Sequence, residues 1–178
     1  MTDKNVSIMN IGSMGYLPQV FKKIENEKKL NIVYLGGSIT MGCNATKTEL
    51  RYVDRSAKWW QTNFPDAEIS YFNAGIGATT SQFGVARVQE HVLDKQPDLV
   101  FVEFSVNDSS SPLFMETYES LVRRLLKAES VKAVVLINNL FYDTGTNAQG
   151  IHNAIGLHYD LPIVSVRNYI FPEIQLGN

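Results

Sequence analysis

The chain has 178 residues, 44% of them hydrophobic and 19% charged, with a formal net charge of −2. That length fits one domain at the usual ~100–200 residues, and the near-neutral balance of 16 Lys and Arg against 18 Asp and Glu argues against a nucleic-acid binder or a general pull toward anionic membranes. One cysteine, Cys43, rules out an internal disulfide and a thiolate zinc cage, and with three histidines it leaves little for a structural metal; no cofactor is expected.

The opening Met1-Thr2-Asp3-Lys4-Asn5 lacks the apolar core of a signal peptide, and no apolar run approaches the ~20 residues that span a bilayer. The sequence therefore reads as that of a soluble protein, with its compartment open. Residues 18–29 have helical spacing, with Val20, Phe21 and Ile24 inward and a Lys/Glu-rich outer face. A nearly continuous apolar run follows at 32–35. Residues 58–64 form a helical segment that stops at Pro65, and a second run lies at 69–72. Helical spacing returns over 79–93, then a third run at 99–104. Residues 112–128 place Leu113, Phe114, Tyr118, Leu121, Val122, Leu125 and Leu126 near one face. A run at 133–137, a weaker helix over 147–159 and a last run at 163–166 complete the pattern.

Runs that are continuous, not alternating, suit strands buried on both faces of a parallel sheet. Alternation with helices predicts a single α/β domain over residues 1–178, a flavodoxin-like three-layer sandwich. Its five parallel strands, numbered by appearance, take the order 2-1-3-4-5. Ligands of such sheets bind outside the carboxyl ends of the strands.

Three loops leave the central strands there. The first is Gly36-Gly37-Ser38-Ile39-Thr40, where paired glycines allow a tight turn and Ser38 is either a nucleophile or a helix N-cap. The second is Asn73-Ala74-Gly75-Ile76-Gly77, whose uncrowded backbone N–H groups either donate to an anion or only make a glycine turn. The third is Ser105-Val106-Asn107-Asp108, where Asn107 offers an amide donor and Asp108 suits a turn that caps the next helix. Each loop alone has a plain structural explanation. Together, a Ser hydroxyl, a Gly N–H and an Asn amide at adjacent strand ends make a nucleophile with an oxyanion hole.

These residues resemble the SGNH, or GDSL-type, esterase and acylhydrolase superfamily. Tyr34-Leu35-Gly36-Gly37-Ser38-Ile39-Thr40 is similar to its first block, Asn73-Ala74-Gly75-Ile76-Gly77 to its second, and Val106-Asn107-Asp108 to its third. The resemblance implies Ser38 as nucleophile, with Gly75 N–H and the Asn107 amide completing the oxyanion hole. It implies a small acyl ester as substrate, acetylated sugars included. Gly-Gly-Ser-Ile-Thr departs from the commoner Gly-Asp-Ser-Leu spelling.

The resemblance also implies a general base in an Asp-x-x-His segment after the last strand, and residues 167–178 contain no His. The expectation is a domain cut short before that segment, weakly active or inactive, with an apolar strip exposed where a last helix would lie. Association of copies through that strip is one way to cover it. The alternative is a module that binds an acyl ligand or carbohydrate without turnover. A nucleotide or flavin binder ranks last, because no loop has a phosphate-gripping pattern. His91, His152 and His158 read as surface or helix-packing residues, with His152 the nearest to the strand ends. Arg87 and Glu103 are candidates to pair near the sheet. Cys43 is expected to be a buried small residue, and of Trp59 and Trp60 one is expected in the core and the other over a helix face.

Overall fold

The computed structural model describes residues 3–13 and 15–177. Strand β2 (Lys29–Gly36) shows how the sequence builds two cores at once. Side chains alternate across a strand, so Leu30, Ile32 and Tyr34 enter one core and Val33 and Leu35 the other. All five are fully buried, which is why the run lacks a polar face.

The Tyr34 side is covered by α1 (Leu17–Glu27) and α3 (Tyr52–Asn63), through Val20, Ile24, Val53 and Trp60. There Tyr34 stacks on Phe101 at 4.8 Å and donates its hydroxyl to Ser56 Oγ at 2.8 Å. The Leu35 side is covered by α4 (Ser81–His91), α5 (Pro112–Leu126) and α6 (Gln149–His158). Val88, Tyr118, Leu121, Val122, Leu125 and Ile155 pack there against the sheet. Between β2 and α3 lies α2 (Ser38–Met41), a single turn.

The other strands are β3 (Glu68–Gly75), β4 (Leu99–Glu103), β5 (Ala133–Asn138) and β6 (Ile163–Ser165). With a short N-terminal strand β1 (Ile8–Asn10), they form a six-stranded sheet in the order β1-β6-β5-β4-β2-β3. The five expected strands are parallel and stand in the expected order. The expectation of five strands is corrected by β1, which pairs antiparallel with β6 at the edge. Three residues, two of them exposed, give no periodic signal.

The described chain ends in a helix. Helix α7 (Val166–Gln175) follows β6 directly, with Ser165 Oγ capping the Asn168 N–H at 3.1 Å. Part of the Tyr34 side remains open nonetheless. Phe101, Val135 and Val164 floor an apolar groove of about 320 Å³ there, with Ile11 and Trp59 at its rim. Trp60 is buried and Trp59 is exposed, as expected of the pair. No described helix is long and apolar enough to cross a membrane.

Candidate active site

The parallel sheet puts the ends of β2, β3 and β4 side by side, with Gly36 opposite both Gly75 and Glu103. The chain leaves β2 through Gly37, whose N–H donates to Glu103 O at 3.3 Å, and turns at once into α2. Ser38 is the first residue of that turn and is half-buried. Its hydroxyl makes no hydrogen bond among the described residues, and Met41 and Gly42 N–H close the turn on Gly37 O and Ser38 O at 3.0 Å each.

Two glycines let the loops meet. A Cβ built on Gly37 would stand 2.7 Å from Asn107 Oδ1, so the missing methyl group lets the amide lie against the residue preceding Ser38. A Cβ on Gly75 would collide with the Met41 nitrogen and lie 2.6 Å from the Thr40 carbonyl carbon, so the last turn of α2 rests on the end of β3. Asn107 is half-buried, and its carboxamide has no hydrogen-bond partner among the described residues. The structure thus brings Asn107 to Ser38's neighbour and Gly75 to Ser38's own helix.

Gly75 carries a complication. Its N–H donates to Asn73 Oδ1 at 2.9 Å, while Asn73 Nδ2 donates to Thr40 O at 2.8 Å. Asn73 therefore ties β3 to α2 and occupies the N–H expected to face an anion. Farther along the loop, Ile76 N–H donates to Gly36 O at 3.1 Å. The N–H groups of Gly77 and Ala78 have no acceptor among the described residues, and Ala78 sits at φ 56°, in left-handed space.

Several polar residues around the site were assigned other roles by the sequence. Asp108 accepts from Ser81 N–H at 2.8 Å and meets His152 Nε2 at 3.0 Å. It caps α4, behind it in the chain, not the following helix. The signal was an Asp leaving a strand, but its partner is set by the fold. The His152 ring is fully buried and stacks on Tyr118 at 3.6 Å and 7°. Burial lowers its pKa, against the opposing pull of Asp108. His152 Nδ1 and the Tyr118 hydroxyl have no partner among the described residues. His91 Nδ1 meets the Arg87 guanidinium at 3.2 Å, and His158 packs edge-on against Tyr159 at 4.7 Å.

Arg87 and Glu103 do not pair. Glu103 lies in register with Leu99 and Phe101, on the Tyr34 side, while Arg87 comes from α4 on the opposite side. Arg87 donates to Ala74 O at 2.7 Å and Gly36 O at 3.1 Å. Glu103 is buried, accepts from Ser105 Oγ at 3.3 Å, and is pushed by burial up to about 7. Tyr52, in contact with Thr40 Oγ1 at 2.8 Å, is held well above the usual phenol range by burial and by Glu103.

A cavity of about 410 Å³ opens beside α2, lined by Ile39, Cys43, Tyr52, Asn139 and Tyr142 among others. Ser38 itself does not line it. Cys43 is exposed, which corrects the expectation of a buried thiol. No group of three or more His, Cys, Asp or Glu among the described residues could hold a metal ion.

Residues 34–163 match the GDSL-like lipase/acylhydrolase family. A two-domain esterase (CEX) active on acetylated mannans, co-crystallized with mannopentaose, is 46% identical and superposes with a TM-score of 0.96. That match covers 99% of this chain and 48% of the other, so the chain spans about half the length of that relative. A catalytic mutant of Axe2, an acetylxylan esterase from Geobacillus stearothermophilus, shares the fold at 19% identity and a TM-score of 0.69, over 84% of this chain and 81% of that one. LAE5, an α/β hydrolase from the metagenome of Lake Arreo, Spain, shares it at 19% identity and 0.66, over 82% and 81%. No curated protein sequence matches the chain.

Proposed function

The chain belongs to the GDSL-like lipase/acylhydrolase family, and from that membership and the site's contacts we propose that it is a serine ester hydrolase for small acyl esters, acetyl groups on carbohydrate in particular. The observation that supports this reading is the Asn107 carboxamide lying against Gly37, the residue before Ser38, with the carboxamide and the Ser38 hydroxyl both unpaired among the described residues.

In the proposed reaction, Ser38 Oγ attacks the acyl carbon and the carbonyl electron pair moves onto oxygen. Ser38 N–H, Asn107 Nδ2 and an N–H of the loop after β3 stabilise that oxyanion, each worth about 3 kcal/mol of transition-state binding. Gly75 N–H serves as the third donor by exchanging Asn73 Oδ1 for the substrate oxygen; Gly77 and Ala78 N–H stand free in the same loop. Collapse of the intermediate breaks the ester C–O bond, and the leaving alcohol takes up a proton. Water then attacks the acyl carbon, releases the acid and restores the Ser38 hydroxyl.

The Ser38 proton needs an acceptor. His152 is buried on Asp108, His91 is engaged by Arg87, and His158 lies at the far end of α6. Among the described residues no imidazole is left to take that proton. With these residues alone, hydroxide or water takes it and the oxyanion site supplies on the order of 10³-fold over the uncatalysed reaction, whereas a His–Asp pair outside the given residues would activate Ser38 and protonate the leaving alcohol. The same placement of the histidines favours one rival, a carbohydrate-binding module that holds acetylated sugar without turnover.

The deciding experiment compares 4-nitrophenyl acetate and acetylated mannooligosaccharide hydrolysis by the parent protein and Ser38→Ala. A rate at least 10-fold above the variant is expected. Equal rates reject the serine mechanism, and saturable oligosaccharide binding with equal rates establishes the rival.

A further inference from the structure

Arg87 is buried at the roots of two site loops, and it has no carboxylate. Its Nη1 donates to Ala74 O and its Nη2 to Gly36 O, the carbonyls at the ends of β3 and β2. Nη1 also meets His91 Nδ1, and the Phe83 ring lies 5.8 Å from the guanidinium carbon. Among the described residues the Nε has no partner and no ion pair includes Arg87. Burial pulls its pKa down to about 10, which still leaves a cation at neutral pH.

Burying an ion is costly, and a carboxylate partner is the common remedy. Two carbonyl oxygens offset part of that cost but carry no net charge, so the field of the guanidinium is not cancelled locally. Both carbonyls belong to peptides that enter the site. Ala74 C=O shares its peptide group with Gly75 N–H. Gly36 C=O lies two residues before Ser38 and also accepts from Ile76 N–H at 3.1 Å. A hydrogen bond to the carbonyl of a peptide strengthens the N–H of that peptide as a donor.

We propose that Arg87 is a positioning residue of the oxyanion site, fixing the Gly36 and Ala74 peptides and polarising the latter so that Gly75 N–H and the uncompensated positive charge favour the negative transition state over the neutral ester. The assignment rests on the ester-hydrolase reading. It assigns the effect to charge as well as to tethering, and it acts through the backbone, without contact to substrate.

The test uses Arg87→Lys, which keeps the charge, and Arg87→Gln, which keeps hydrogen-bond donors and loses it. Both are compared with the parent protein and Ser38→Ala in 4-nitrophenyl acetate hydrolysis, with thermal melts as a check of folding. Arg87→Gln is expected to lower kcat 10- to 100-fold with KM within 2-fold, and Arg87→Lys to stay within 5-fold of the parent. A Gln variant equal to the parent, or no slower than the Lys variant, overturns the proposal while the hydrolase reading stands. A parent no faster than Ser38→Ala overturns both. Should Arg87→Gln fail to fold, Arg87→Lys decides: a folded Lys variant slowed more than 5-fold overturns the role of charge, and one within 5-fold supports it.

Discussion

Asp108 and His152 meet at 3.0 Å in the fully enclosed layer under the site, one residue beyond Asn107 in the chain. The same carboxylate holds Ser81 N–H, the first amide of α4. The segment between Gly75 and Ser81 is therefore pinned at both ends, by Ile76 N–H on Gly36 O and by Ser81 N–H on Asp108. Asp108 sets the distance between that segment and Asn107, so its loss is felt in both loops.

Asp108→Ala removes a cap and orphans a buried ring nitrogen and a backbone N–H. Each such loss costs about 1–3 kcal/mol, so a destabilisation of about 2–5 kcal/mol is expected by urea unfolding. Asp108→Asn keeps an acceptor for Ser81 and is expected to lose less than half of that.

Asn107→Ala separates chemistry from folding. Its carboxamide has no hydrogen bond among the described residues, so the melting temperature is expected to stay within about 2 °C. Removal of an oxyanion donor costs about 10²–10³-fold in kcat. A large fall in stability with little change in rate would show that the amide serves the loop instead.

Glu103 sets a pH dependence of stability. Burial raises its pKa from an ordinary 4.5 to about 7, so over that window the folded chain holds a proton that the unfolded chain has released. Stability from this group is complete below 4.5, falls as pH rises toward 7, and is lost above it. Glu103→Gln removes the ionisation, and the variant is expected to gain on the order of 3 kcal/mol relative to the parent between pH 5 and pH 8. Paired urea titrations at the two pH values read the difference, with the opposite trend of buried neutral His152 common to both proteins.

Ala78→Gly relieves a left-handed alanine. Ala at φ 56° costs about 1–2 kcal/mol that glycine does not, against the larger entropy of a glycine in the unfolded chain. A net gain of about 0.5–1 kcal/mol in stability is expected by thermal denaturation. A loss would place the strain elsewhere in the loop.

Most of the fold was readable because a parallel sheet buried on both faces leaves continuous apolar runs, as residues 99–103 show in Leu-Val-Phe-Val before the buried Glu103. The order of the strands followed from handedness and short connections. Strand β1 was not readable because its pairing with β6 is non-local and its residues are mostly exposed. Helix α7 was hidden by Pro172 inside it and by its start directly on β6, with no loop to announce it. At the site, Ser38, Gly75 and Asn107 stood out by their positions after strands. What could not be read was which polar groups already had partners. Asn73 taking Gly75 N–H, Asp108 reaching back to Ser81, and Arg87 choosing two carbonyls over Glu103 are all decided by the packing of distant segments.

The tight seating of Asn107 on Gly37 and of α2 on Gly75 bears on how this protein can be engineered. Randomised libraries across residues 36–41 and 73–75 should yield few folded members, since even one added methyl group at either glycine displaces backbone or the amide. Diversity is better directed at the rim of the neighbouring cavity, where Cys43 and Tyr142 face solvent and tolerate changes of size and polarity.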